Sequence, residues 1–142
     1  MFDLVPALAA KEFIVELRLC VVLFEDNAYY PWVFLVPKVK NAKNMLRLTM
    51  EERAQLMREI ALCEEAMSEN FPCDQTNVAM IGNKTPQLHV HVICRREGDK
   101  DWPGTVWGGK SKPYTKAARE EIIAKIKKAI MIKTRDEKFL QF

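Results

Sequence analysis

Apolar positions recur in this chain with two different periods. Residues 13–24 are dense in Val, Leu and Ile, with Arg18 near the middle, and predict strand structure broken near that arginine. Glu25-Asp26-Asn27-Ala28-Tyr29 reads as a turn, and the apolar run 32–36, closed by Pro37, as the second strand of a hairpin-like pair. From Thr49 the period changes. Leu56, Met57, Ile60, Cys63 and Met67 recur at helical spacing, and Thr49 with Glu52 matches a capping box. Asn70-Phe71-Pro72 stops that helix. Residues 76–81 predict a third strand, 82–86 a tight connection, and 86–95 a fourth stretch of strand. A polar loop with Trp102-Pro103-Gly104 and Trp107-Gly108-Gly109 leads to a last helix. Thr115 caps it, and Ala118, Ile122, Ile126 and Ile130 lie on one side. Residues 4–11 predict a short N-terminal helix.

This order predicts an α+β fold: a mostly antiparallel sheet of about five strands, one long helix and a C-terminal helix. With 142 residues and no repeat, linker or low-complexity tract, a single domain over 1–142 is expected, with a loosely packed tail from about residue 134. The net charge of +3 is too mild to argue for nucleic acid. No stretch approaches the ~20 apolar residues of a membrane span, and the first residues lack the basic start of a secretory signal. Cys20, Cys63, Cys73 and Cys94 show no Cys-x-x-Cys spacing and read as reduced packing residues of a cytoplasmic protein.

The chemistry concentrates in 86–95, which holds both histidines of the chain. Side chains alternate across a strand, so Gln87, His89, His91, Ile93 and Arg95 share one face, and Leu88, Val90, Val92 and Cys94 the other. The second face is a packing surface. The first is polar, and burying it requires a partner for each group. Three readings compete. A His-x-His pair supplies two metal ligands but lacks a third histidine, and Cys94 faces away. Two histidines also serve as plain hydrogen-bonding groups at a sheet surface. Finally, a neutral imidazole is a good nucleophile toward phosphorus near pH 7, provided its other nitrogen keeps its proton on a fixed acceptor. Neighbouring donors then hold the phosphate oxygens.

Gln87-Leu88-His89-Val90-His91-Val92-Ile93 resembles the histidine triad motif, His-φ-His-φ-His-φ-φ, of the HIT superfamily. The run 32–38, ending in Pro37-Lys38, is similar to the family's strand with a Pro-Lys pair. Gly82-Asn83 stands where the family has an Asn close to phosphate. The resemblance spans roughly residues 19–107 and is nearest to short bacterial members with Gln in the first motif position and a Trp-Pro-Gly-x-Val-Trp-Gly loop.

The resemblance implies that His89 is the nucleophile, His91 a phosphate ligand and proton donor, and Gln87 the stand-in for the first histidine. It implies contacts to the nucleotide from Asn83 and Thr85, and a ribose contact from Asp26 or, one register on, Asn27. Arg95, on the histidine face, is a candidate to neutralise a phosphate. Trp102, with Trp107 in the same loop, is a candidate to stack on a base or to anchor the loop. The implied reaction is hydrolysis at the α-phosphate of a nucleoside phosphate, phosphoramidate or dinucleoside polyphosphate through a nucleotidyl-histidine. It requires no cofactor, although a divalent cation suits a polyphosphate substrate. A homodimer is implied, with no nucleic-acid or membrane partner. The Gln in the motif keeps two alternatives open: a nucleotide-binding module with little catalysis, and a nucleotidyltransferase.

Overall fold

The broken apolar run near the start of the chain is a hairpin. In the computed structural model, which describes residues 1–140, β1 (Glu12–Glu16) turns back onto β2 (Cys20–Phe24) around Arg18. Leu17 N–H closes the turn on the Cys20 carbonyl at 2.7 Å. β2 pairs antiparallel with β3 (Trp32–Pro37), which pairs with β5 (Val90–Arg95), which pairs with β4 (Gln75–Ala79). The result is one five-stranded antiparallel sheet in the order β1-β2-β3-β5-β4. β5 is therefore interior, flanked by Phe34 and Ala79 at the level of His91.

Period-two alternation gives this sheet two covered faces. Val22, Phe24, Val33, Leu35, Val90 and Val92 point to one side. There they meet α2 (Met50–Asn70) through Leu56, Ile60, Cys63 and Met67, and α3 (Lys116–Lys133) through Ile126 and Ile130. Each such fully buried side chain contributes about 1.5–3 kcal/mol. Val21, Leu23, Trp32, Phe34, Val36 and Ile93 point to the other side, covered by Leu8, Tyr30 and Val106. Leu88 and Cys94 lie on the helix side, as alternation requires.

α2 starts with the expected capping box. Glu52 N–H donates to Thr49 Oγ1 at 3.1 Å, and Thr49 N–H to Glu52 Oε1 at 2.8 Å. Met57 departs from the predicted stripe and is 59% exposed. Successive helical residues are about 100° apart. The sheet-facing row through 56, 60, 63 and 67 therefore excludes Met57, which falls on the row with Ala61 and Ser68, beside Cys73–Thr76 at the start of β4. The N-terminal helix is also shorter than predicted: α1 spans Pro6–Ala9, because Val5 before it is extended and the chain enters β1 at Glu12. Contacts continue toward the end of the described residues. Lys133 meets Glu69 at 2.8 Å, α4 (Glu137–Leu140) pairs Lys138 with Glu65, and Phe139 packs on the core. No helix among the described residues is long and apolar enough to cross a membrane.

The β1–β2 turn is held by a buried carboxylate. Glu59 of α2 accepts from Leu19 N–H and Cys20 N–H, each at 2.8 Å, and from Gln55 Nε2 at 2.7 Å. Burial, followed by the charge of Glu59, pushes the Cys20 and Cys63 thiols well above their ordinary range, so both stay protonated packing groups. Glu59→Ala strands two backbone donors at about 1–3 kcal/mol each. It is expected to destabilise the fold by about 3 kcal/mol or more, read as a lower urea midpoint.

Candidate active site

β5 begins at Val90, so the first three residues of the motif approach the sheet without belonging to its ladder. His89 and His91 nonetheless sit on the same side, with ring centroids 5.1 Å apart and tilted by 65°. Phe34 of β3 stands edge-on to both, at 4.8 Å from His91 and 6.0 Å from His89. Trp32 and Trp107 complete the cage around His91, at 5.6 and 5.3 Å.

The two imidazoles are held in opposite tautomers. His89 Nδ1 lies 2.7 Å from the Gln87 carbonyl oxygen. A carbonyl only accepts, so Nδ1 carries the proton and Nε2 of the neutral ring presents its lone pair. No described residue hydrogen-bonds Nε2. No buried polar side-chain atom among the described residues lacks a partner, which places this nitrogen at the cleft. Trp32 Nε1, which only donates, lies 3.0 Å from His91 Nδ1. His91 Nδ1 therefore accepts, and the proton of the neutral ring resides on Nε2. Burial first, then the neighbouring His89, pushes His91 down to about 4, against an opposing pull from the Ile81 backbone. It is neutral at pH 7.

His89 lines an open cleft of about 250 Å³ with Lys43, Asn44, Met80, Gly82, Asn83, Pro86 and Leu88. Gly82 belongs there for a steric reason. A Cβ at this position would lie 3.0 Å from the Thr85 carbonyl oxygen and 3.7 Å from His89 Cε1, so the turn passes close over the ring. Thr85 accepts Gln87 N–H at 2.9 Å and shapes that turn through its backbone. Asn83 is exposed on the cleft wall.

Several residues expected at the site are engaged elsewhere. Gln87 Oε1 accepts from Val5 N–H and its Nε2 donates to the Asp3 carbonyl, each at 2.9 Å. Its amide is committed to the N-terminal segment and not to the cleft. Arg95, only 2% exposed, forks onto Asp99 through Nε at 2.8 Å and Nη2 at 2.9 Å, while Nη1 meets Asn77 at 2.9 Å. These hydrogen bonds hold the Asp99 carboxyl below the usual carboxylate range and spend the guanidinium on the loop after β5. Trp102 packs on that guanidinium at 5.9 Å, and Tyr30 hydrogen-bonds Asp101 in the same loop. Of the two tryptophans in this loop, Trp107 is thus the one that packs on His91.

Asp26 accepts from Tyr114 N–H at 2.8 Å and from Arg119 at 3.4 Å, on the helix side of the sheet. Asn27 is buried and caps its own turn through Tyr29 N–H at 3.0 Å. Alternation from Leu23 instead turns Glu25 to the histidine face. It takes Lys11 Nζ at 2.9 Å, and that ammonium lies 5.2 Å from the centre of the Phe34 ring. The carboxylate was legible by counting two residues on from Leu23, not three. Trp32 and Phe34 were legible in the same way, as alternate residues of β3.

Similarity to known proteins agrees with this layout. A model of the HIT domain matches residues 8–98. The chain belongs to the HIT family. A histidine triad protein of Marinobacter aquaeolei VT8, solved by crystallography, is 40% identical, with 93% of this chain and 98% of that one covered and a TM-score of 0.89. One from Bradyrhizobium japonicum is 37% identical, over 91% and 98% of the two chains, with a TM-score of 0.86. A hypothetical histidine triad nucleotide-binding protein of Sulfolobus tokodaii, 20% identical over 89% and 88% of the chains, shares the fold at a TM-score of 0.69. No curated protein matches. Relative to the HIT motif, the chain keeps the second and third histidines as His89 and His91 and has Gln87 at the first. No group of three or more His, Cys, Asp or Glu is placed to hold a metal among the described residues.

The depressed His91 gives stability a pH signature. The unfolded chain takes up a proton near 6.5 that the folded chain refuses until about 4. Stability is therefore lost as pH falls through that window. From pH 7 to 5 this one group is expected to remove about 2 kcal/mol. His91→Asn should show a correspondingly flatter urea-midpoint profile.

Proposed function

We propose that this HIT protein hydrolyses a nucleoside phosphate derivative at its α-phosphorus, a phosphoramidate or a dinucleoside polyphosphate, with His89 as the nucleophile. The observation that carries this is the hydrogen bond from His89 Nδ1–H to the Gln87 carbonyl, which leaves the Nε2 lone pair at an open cleft. Nε2 attacks phosphorus in line, and the bond to the leaving group breaks. The leaving group departs with the bonding pair and takes a proton from solvent. A nucleotidyl-histidine results: its ring keeps the Nδ1 proton on the Gln87 carbonyl and carries a positive charge beside the phosphate oxygens, which the cleft donors hold. Water then attacks phosphorus and gives up a proton to solvent, the N–P bond breaks with its electrons returning to Nε2, and the neutral ring and the nucleoside monophosphate result.

Other groups have roles that differ from the motif alone. His91, neutral and caged by Trp32, Phe34 and Trp107, stands beside His89 at 5.1 Å as a fixed donor through Nε2. Asn83, with Lys43 and Asn44, supplies polar contacts to phosphate oxygens at the cleft wall. Glu25 takes the place expected of Asp26 or Asn27: its carboxylate faces the histidine side, and Lys11 occupies only Oε1, leaving an acceptor for ribose hydroxyls. No resident cofactor enters this scheme, and a divalent cation would arrive with a polyphosphate.

His89→Ala is expected to lower turnover of adenosine phosphoramidate by at least about 10⁴-fold while AMP binding stays measurable by calorimetry. Quenched wild-type reactions should carry a mass adduct of one nucleotidyl group on the peptide with His89. Wild-type turnover by the variant would overturn the assignment. Saturable binding without product or adduct would favour a nucleotide-binding module, and transfer of the adduct to an acceptor other than water would favour a transferase.

We infer a homodimer as well. β4 is an edge strand, with Val78, Met80 and Ile81 each about 40% exposed, and Met57 lies on the neighbouring row of α2. An apolar edge of this kind favours pairing with a second copy. Sedimentation equilibrium is expected to give twice the chain mass, and Val78→Lys to shift it toward the monomer.

A further inference from the structure

The Gln87 amide reads the N-terminal segment as a neighbouring strand would. It accepts from Val5 N–H and donates to the Asp3 carbonyl, both at 2.9 Å, thereby satisfying the exposed groups of two residues along one extended edge. Further along, the same segment is pinned a second time, by Lys11 on Glu25 at 2.9 Å and over the Phe34 ring. Between the pins Leu8 is buried, and around the first pin Phe2, Leu4 and Val5 pack against the cluster of Trp32, Phe34 and Ile93. The segment thus lies across the sheet face that bears the imidazoles. It also walls a second cleft, of about 280 Å³, lined by Phe2, Val5, Ala42, Pro86 and Gln87 among others, and this cleft shares Pro86 with the one at His89. An imidazole at position 87 has its two nitrogens on diverging ring edges and does not meet both backbone groups at once.

We propose that Gln87 is a positioning residue. Its amide latches the N-terminal segment over the histidine face, and the latched segment forms the wall against which the nucleoside part of the substrate rests. Gln87 in the motif is then a specific device for holding this segment, and it sets substrate affinity without touching the reacting atoms. The proposal rests on the nucleotide reading above.

Amide hydrogen exchange of the full-length, ligand-free protein tests the latch by itself. Gln87→Ala is expected to speed exchange at Val5 by about tenfold or more, while the β5 amides stay protected. Gln87→Glu, which keeps the acceptor for Val5 but repels the Asp3 carbonyl, should fall between the two. Adenosine phosphoramidate kinetics test the consequence: KM should rise at least about fivefold in Gln87→Ala with kcat within about twofold, with a smaller rise in Gln87→Glu. Unchanged Val5 exchange overturns the latch. Faster exchange with a loss confined to kcat overturns the positioning role and puts Gln87 on the phosphate. If the wild type hydrolyses nothing, the hydrolase reading falls. AMP affinity then replaces KM: weaker AMP binding in Gln87→Ala upholds the latch, and equal binding refutes it.

Discussion

An indole N–H can only donate a hydrogen bond, and the site is organised around that constraint. Trp32 donates to His91 Nδ1 at 3.0 Å. Protonating that nitrogen would set two donors against each other inside a cage of three aromatic rings. Held neutral, His91 keeps its remaining proton on Nε2. His89, with Nδ1–H on a carbonyl, is left in the complementary tautomer. Two chemically identical side chains two residues apart thus acquire different capacities, one a fixed donor and the other a free lone pair.

The sheet makes this possible by keeping its two faces separate. On the helix side, Val90 and Val92 sit among the residues of α2 and α3 that anchor β5 in a dry core. On the other side the same strand presents rings whose spacing is fixed by the register Phe34↔His91 and Trp32↔Ile93. A slip of one residue would send both imidazoles into the helix-side core. The antiparallel neighbours β3 and β4, on either side of β5, hold against that slip.

Much of this was legible in the sequence because it depends on alternation and on local caps. The α+β class, the long helix from Thr49, the two faces of 87–95 and the cleft turn at 82–86 all follow from residue order. What was not legible depends on partners distant in sequence. Nothing near Arg95 reveals that Asp99 and Asn77 consume its guanidinium, nor does anything near Gln87 reveal that residues 3 and 5 consume its amide. Motif register pointed to Asp26 or, one register on, Asn27, yet the direction of a side chain after β2 is set by strand parity, which turns Asp26 toward Tyr114 and Arg119. Met57 failed for the matching reason in a helix: it lies one residue beyond the row that faces the sheet, and apolar character alone does not show which row is covered.

The fork of Arg95 onto Asp99 also changes how an anion is drawn to the cleft. With the guanidinium neutralised in the interior, positive charge at the cleft comes from Lys43 on its wall and Lys84 in the adjoining turn, both open to solvent. Charges in that position are screened by mobile counterions over a Debye length of about 8 Å at physiological ionic strength. On the proposed reading, long-range capture of a phosphate is therefore a salt-sensitive process, whereas the arrangement that would receive it, built from rings and backbone hydrogen bonds, is indifferent to salt.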